Sequence, residues 1–115
     1  MGMARRIDSI TRRGVDMFMQ RVRHEHEIAA AYLFGSRARG DHTDESDADV
    51  ALIIKDPAKA KGLFSATLGS LTYDVLMETG ILVSVIPYSA EEWQFPEQLN
   101  NPYLVETIKL EGIAL

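Results

Sequence analysis

A glycine–serine pair and two aspartates stand out in this sequence because their types and spacing suit phosphate and metal chemistry. Gly35 and Ser36 follow the apolar run 29–34, and ten residues separate Ser36 from Asp47. A glycine at a strand end allows a sharp turn and lets a ligand approach the backbone closely. Ser36 adds a hydroxyl and an N–H at a predicted helix start, where unpaired N–H groups and the helix dipole favour an anion. The pair therefore predicts a phosphate-binding turn.

Asp47 and Asp49 lie two residues apart at the start of a predicted strand. Side chains two apart on a strand point to one face, about 7 Å apart at ~3.4 Å rise per residue. Two carboxylates beside bound phosphates suit Mg²⁺, which binds one or two carboxylates plus substrate phosphates, and nearby arginines favour the anion. The sequence thus predicts a site for a nucleoside triphosphate and Mg²⁺. Its expected catalytic and metal-binding residues are Asp47 and Asp49, and its expected nucleotide contacts are Gly35, Ser36, Arg37 and Arg39.

Each part of this pattern also has a plain structural interpretation. A Gly-Ser pair is common, an Asp-x-Asp pair at a strand start is often a solvated edge, and Ser46–Asp47 reads equally as a turn. Arg37 and His42, taken singly, read as solvated loop residues. However, the strand after the acids, residues 50–54, is entirely apolar. Both acids therefore lie at the mouth of a buried strand, which favours the functional interpretation.

Residues 35–54, GSRARGD…SDADVALII, resemble the signature of the polymerase-beta-like nucleotidyltransferases, specifically the minimal nucleotidyltransferase (MNT) group. The resemblance implies an α/β (α+β) fold with a small mixed sheet packed with helices, the palm core of that superfamily. It implies Mg²⁺-dependent transfer of a nucleoside monophosphate, AMP from ATP, to a hydroxyl. Carried over, Gly35 and Ser36 would hold the triphosphate, and Asp47 and Asp49 the metal ions.

Many MNT proteins look like antitoxins that modify a HEPN-domain toxin with AMP on a tyrosine, so a HEPN-domain protein is the partner that the resemblance implies. The family often carries a third carboxylate on a later central strand. The corresponding strand here is predicted over 81–86, and the matching position holds Ser84. A serine neither shares a metal as a carboxylate does nor acts as a base near neutral pH. Glu78 would substitute only if the fold brings it near. An antitoxin or binding subunit that neutralises its partner by contact, with little or no catalysis, is therefore the alternative function.

The composition narrows the class of protein. The chain has 115 residues, 46% of them hydrophobic, which predicts one globular domain, residues 1–115, with no room for an accessory domain. A partner protein or a second copy of the chain is then expected to complete the acceptor site. Formation of a homo-oligomer therefore remains one of the alternatives. The net charge of −5 argues against general nucleic-acid binding through phosphate neutralisation.

No cysteine is present, which excludes disulfides and thiolate metal sites. No apolar stretch approaches the ~20 residues of a membrane span, and the arginines near the start lack the apolar segment of an export signal. We therefore expect a cytoplasmic protein.

The hydrophobic pattern predicts the elements that position the motif. It indicates a helix over 7–25, strands over 28–34 and 47–54, and a helical stripe from Phe64 to about Glu78 that Gly80 stops. A strand over 81–86 ends at Pro87, a capped turn follows at 89–92, and a last helix runs from 101–102 to Gly112. Too little chain joins the two motif strands for a crossover helix, so they are predicted to be antiparallel.

Overall fold

The computed structural model describes residues 7–56 and 66–115, with side chains in the second range described from residue 68. The helices are α1 (Ser9–Glu25), α2 (Ser36–Arg39), α3 (Ala66–Thr79), α4 (Ala90–Gln94) and α5 (Pro102–Glu111), with a 3₁₀ turn at Pro96–Gln98. The strands are β1 (Ile28–Phe34), β2 (Ala48–Ile54), β3 (Val83–Ser89) and β4 (Ile113–Ala114). Phe64, the predicted start of the third helix's apolar stripe, lies outside the described residues.

The four strands form one mixed sheet in the order β3-β2-β1-β4. Strand β1 is antiparallel to β2 and to β4, whereas β2 and β3 are parallel. The predicted antiparallel pairing of the motif strands is thus confirmed, and β2 reaches its parallel neighbour through the chain that contains α3. Strand β4 was not predicted, because two residues are too few for a periodic pattern to show.

Side chains alternate between the two faces of the sheet, and each face has its own apolar core. On the first face, α1 and α3 pack against the alternate residues of β2; this core includes Phe18, Val22, Val50, Leu52 and Val75. On the second face, α5 packs against the sheet; this core is formed by Phe34, Ala51, Tyr88, Val105 and Ile108. Asp49 alternates with Val50 and so belongs to the second face.

Helix α1 begins at a cap that also reaches the motif. The Asp8 carboxylate accepts a hydrogen bond from the N–H of Thr11 at 3.0 Å, and Thr11 itself is fully buried. Gly14 lies so close to Ile81 that an added Cβ would come within 2.7 Å of the Ile81 Cβ. Ile10, which its spacing assigns to the apolar stripe of this helix, is instead 62% exposed. The buried stripe therefore runs through Thr11 and Gly14, and this brings the start of α1 under the motif.

The predicted end of the third strand at Pro87 is wrong. Pro87 lies inside β3, paired in register with Leu52 of β2. Proline lacks the N–H that a central strand needs, but an edge strand tolerates it on its open side, and β3 is an edge strand of the described sheet. The capped turn at 89–92 is confirmed as a capping box between Ser89 and Glu92. No helix in the described part of the chain is long and apolar enough to cross a membrane.

Candidate active site

The glycine turn (residues 35–40) contains α2 and depends on Gly35. This residue has φ 76° and ψ −157°, a region of backbone space that essentially only glycine occupies. Its carbonyl accepts hydrogen bonds from the N–H groups of Ala38 and Arg39 at 3.1 and 3.0 Å. An added Cβ at this position would collide with Oδ2 of Asp49. Glycine is thus needed both for the backbone and because the Asp49 carboxylate lies against it.

Asp49 is positioned by its neighbours in the sheet. It pairs with Phe34 of β1 on one side and with Ser84 of β3 on the other. Residues paired in register project to the same face, so the side chain of Ser84 lies on the face of Asp49. Ile86 belongs to the same-face core, and Val83 to the opposite one. Ser84 therefore occupies the place beside Asp49 where the family resemblance implies a third carboxylate.

The ionisation of Asp49 depends on its surroundings and on the charge of Asp47. Burial raises the pKa of Asp49, and the negative charge of Asp47 raises it further, while the positive charge of Arg39 acts in the opposite direction. Asp47 is exposed and precedes β2, whereas Asp49 is half-buried. A cation between two such carboxylates relieves both their repulsion and the desolvation of Asp49.

Arg39 carries a positive charge that acts on Asp49. Its guanidinium pairs with Asp41 at 3.3 Å and with Glu111 of α5 at 3.2 Å, and both partners raise its pKa. The side chain is 44% exposed, so its donors remain accessible to an incoming anion. No local pattern in the sequence indicates that Glu111, at the end of α5, reaches this turn.

Arg37 does not take the position expected of a phosphate ligand. It is only 3% exposed, and its guanidinium donates to the Thr11 hydroxyl at 2.7 Å and to the carbonyl of Ser46 at 2.7 Å. Further donations at 3.3 Å reach the carbonyls of Thr43 and Asp44. The buried donors are used by the protein itself, which corrects both the nucleotide-contact prediction and the solvated alternative. His42 is likewise not a solvated loop residue: its side chain is 19% exposed, with Nε2 3.3 Å from an Asp8 oxygen.

In the described part of the chain, no third carboxylate joins Asp47 and Asp49. Glu78 of α3 is engaged by Arg21 of α1, at 3.0 and 3.1 Å, on the helical layer of the first face. Within the described residues, no group of three or more His, Cys, Asp or Glu side chains could hold a metal ion. Residues 1–6 and 57–65 contain none of these residue types. A metal ion in this site would therefore have only two carboxylates of this chain among its ligands, and uncharged groups, substrate phosphates or water would complete its coordination.

The donor set nonetheless fits a hard divalent cation. Asp47, Asp49 and the neighbouring Ser84 hydroxyl offer only oxygen atoms, which Mg²⁺ and Mn²⁺ prefer. Mg²⁺ sites commonly combine one or two carboxylates with substrate phosphates and water. The space at Gly35 allows the Asp49 carboxylate to lie directly beside the turn where phosphate would bind. Asp47 and Asp49 could thus hold one such ion if a triphosphate completed its coordination.

Comparison with known proteins identifies the class. Residues 15–115 match the nucleotidyltransferase domain family, and the chain belongs to that family. The mixed sheet with helices on both faces confirms the predicted fold class. The chain is accordingly a member of the nucleotidyltransferase domain family.

Individual relatives are more distant. A protein of Methanocaldococcus jannaschii named "Putative protein adenylyltransferase" is 41% identical over 61 residues, which are 50% of this chain and 62% of that relative. The match thus spans less than two thirds of the relative's length. A solved "putative nucleotidyltransferase" from Sulfolobus solfataricus is similar over 98% of this chain and 90% of its own, at 19% identity and a TM-score of 0.45.

Proposed function

We propose that this nucleotidyltransferase transfers AMP from ATP to a protein hydroxyl, with Mg²⁺ held by Asp47 and Asp49. The observation that carries the proposal is the position of the Asp49 carboxylate, which occupies the space that a Cβ at Gly35 would need. It joins a turn suited to phosphate with an acid suited to a metal. The choice of AMP and of a protein acceptor is supported by the name of the M. jannaschii relative.

The triphosphate would lie along the start of α2. The first N–H groups of a helix have no acceptor within the helix. They point outward from its start and can donate hydrogen bonds to a bound anion. Ser36 adds its half-buried hydroxyl. Arg39 would exchange Asp41 or Glu111 for a phosphate oxygen, which replaces one anionic partner by another. Arg37 contributes only its backbone N–H to this turn, since its side chain is used elsewhere.

In the reaction, the acceptor oxygen forms a bond to the α-phosphorus, and the bond from that phosphorus to the oxygen shared with the β-phosphate breaks. Pyrophosphate leaves with the electron pair of that bond, and the acceptor's proton passes to water or to a base on the acceptor protein. A bound metal ion would supply charge neutralisation on the phosphates. The chain's own residues hold the nucleotide in line, and such positioning supplies much of the rate enhancement in phosphoryl chemistry.

The place of Ser84 has a kinetic consequence. It lies beside Asp49 in the sheet, where a carboxylate could have accepted the acceptor's proton. Without that base, we expect slow transfer that accelerates as the pH rises and more of the acceptor hydroxyl ionises.

We propose a HEPN-domain protein as the acceptor, modified on a tyrosine and thereby neutralised, in keeping with the MNT resemblance of residues 35–54. The second candidate function is neutralisation by contact without catalysis. The serine at position 84 favours it, whereas the intact glycine turn and the Asp47–Asp49 pair favour the enzyme. A second copy of the chain is an alternative source for the missing wall of the acceptor site.

The deciding experiment is transfer of label from α-phosphate-labelled ATP to a purified HEPN-domain protein, with Mg²⁺ or with EDTA. We expect labelling only with Mg²⁺, and a loss on the order of a thousandfold in Asp47→Ala and Asp49→Ala, since ~4 kcal/mol of lost transition-state stabilisation corresponds to that factor. Glu45→Ala, an exposed acid of the same loop, is the matched control and should retain transfer.

Label incorporated in EDTA, or full transfer by either aspartate variant, would contradict the metal-dependent enzyme. If no label appears and all variants neutralise the partner equally, neutralisation by contact is the function.

A further inference from the structure

The side chain of Arg37 connects two segments whose relative position matters for the proposed reaction. One is helix α1, and the other is the acidic loop (residues 41–47) that leads into β2. On the loop side, its donors reach the carbonyls of Thr43, Asp44 and Ser46 at 3.3, 3.3 and 2.7 Å. Three carbonyls within four residues are thereby fixed by one buried guanidinium. Asp47 directly follows the last of them.

On the helix side, Arg37 donates to the hydroxyl of Thr11 at 2.7 Å. That hydroxyl donates in turn to Oδ1 of Asp8 at 2.7 Å, and His42 Nε2 lies 3.3 Å from the same oxygen. Burial raises the pKa of Asp8, but the hydrogen bonds from Thr11 and the charges of His42 and Arg37 outweigh it, and the pKa lies below its ordinary value. The acidic loop is therefore attached to the start of α1 at two points, through Arg37 and through His42.

The hydrogen bonds from Arg37 are stronger than the hydrogen bonds that form within the acidic loop itself. Its own described hydrogen bonds include Ser46 N–H to the Thr43 carbonyl at 3.1 Å and Thr43 N–H to the Ser46 hydroxyl at 3.0 Å. These bonds join neutral groups, and such bonds contribute less than hydrogen bonds to a charged group such as the Arg37 guanidinium. The backbone before Asp47 is thus held mainly by Arg37.

We propose that Arg37 is a positioning residue: through Thr11 and the acidic loop, it holds Asp47 beside Asp49 without contacting the nucleotide. Its backbone belongs to α2 in the glycine turn and its side chain holds the acidic loop, so one residue links the phosphate side of the site to the metal side. The consequence for Mg²⁺ and ATP rests on the proposed function, but the attachment of the loop does not.

Thr11 offers the sharpest test, because it lies on α1 and outside the proposed site. Thr11→Val keeps the side chain's shape but removes the hydroxyl, whereas Thr11→Ser keeps the hydroxyl. Val22→Ala, a buried change farther along α1, is the control for lost stability alone. We expect amide hydrogen exchange at residues 43–47 to accelerate at least tenfold in Thr11→Val, with little change in the other two variants.

The second readout is the Mg²⁺ concentration that half-saturates ATP binding, measured by calorimetry well below each variant's unfolding temperature. We expect it to rise about tenfold or more in Thr11→Val, and Thr11→Ser to restore it, since small displacements of site groups can cost ~100-fold in function. Arg37→Lys should resemble Thr11→Val, because one ammonium cannot reproduce the planar fork of donors.

Each outcome bears on a different statement. Unchanged exchange in Thr11→Val would overturn the attachment of the loop. Accelerated exchange with an unchanged Mg²⁺ requirement would overturn the positioning role. A wild-type protein that binds no Mg²⁺–ATP would contradict the proposed function, and the exchange result would still decide whether Arg37 and Thr11 hold the loop.

Discussion

Replacing Gly35 by alanine should disable the proposed site by displacing Asp49, beyond any loss of stability. The new methyl group would meet Oδ2 of Asp49, and the carboxylate would have to retreat on the order of 1 Å to reach ordinary contact distance. Displacements of that size can cost ~100-fold in function. The backbone adds its own cost, because φ 76° with ψ −157° is strained for any residue with a Cβ, by about 1–3 kcal/mol.

Two other glycines separate the backbone effect from the steric one. Gly40 and Gly80 also have positive φ, 89° and 78°, but an added Cβ at either meets nothing within 4 Å. Alanine there should cost about 1–2 kcal/mol of backbone strain without moving Asp49. Gly40 lies in the same turn as Gly35, and Gly80 follows α3, so together they control for local and for remote strain.

The assay is calorimetry of Mg²⁺–ATP binding, alongside urea unfolding of each variant. We expect the three variants to lose comparable free energy of unfolding, within about 1–2 kcal/mol, while only Gly35→Ala loses ~100-fold in affinity. The displacement of Asp49 by the new methyl group would be refuted if Gly35→Ala bound Mg²⁺–ATP as tightly as Gly80→Ala does. It would also be refuted if Gly40→Ala lost as much affinity, since strain of the turn alone would then account for the effect.

Two further predictions concern the acids themselves. Ser84→Asp should lower the Mg²⁺ concentration needed for ATP binding about tenfold, which requires only ~1.4 kcal/mol, and should flatten the rise of transfer with pH; an unchanged Mg²⁺ titration and pH profile would contradict it. Asp49→Asn should unfold at a higher temperature than wild type at pH 7, because the raised pKa of Asp49 means that ionisation weakens the folded state. Since the penalty is present above the raised pKa and disappears toward the ordinary value of about 3.9, the difference in Tm should shrink as the pH falls, and a difference that grows instead would contradict the assigned direction.

Local sequence patterns were sufficient to predict most of the helices and strands of this chain. Strand β1 has the predicted bounds, the capping box begins α4 where the sequence placed it, and Asn101 caps α5 before Pro102. These features depend on residues within a few positions of each other, so their physics is legible in the sequence. The extent of β3 was misjudged, because whether a proline is tolerated depends on which strand lies at the edge of the sheet.

The sequence was enough to predict the turn at Gly35, the strand that begins beside the paired acids, and the antiparallel pairing forced by a short connection. Tertiary structure alone decided what the motif's other residues do. Ser84 is a neighbour of Asp49 only because β2 and β3 pair in parallel with that register. Arg37 is a buried link because α1 places Thr11 beneath the acidic loop. Both relations join residues distant in sequence, and neither composition nor periodicity encodes which distant groups will meet.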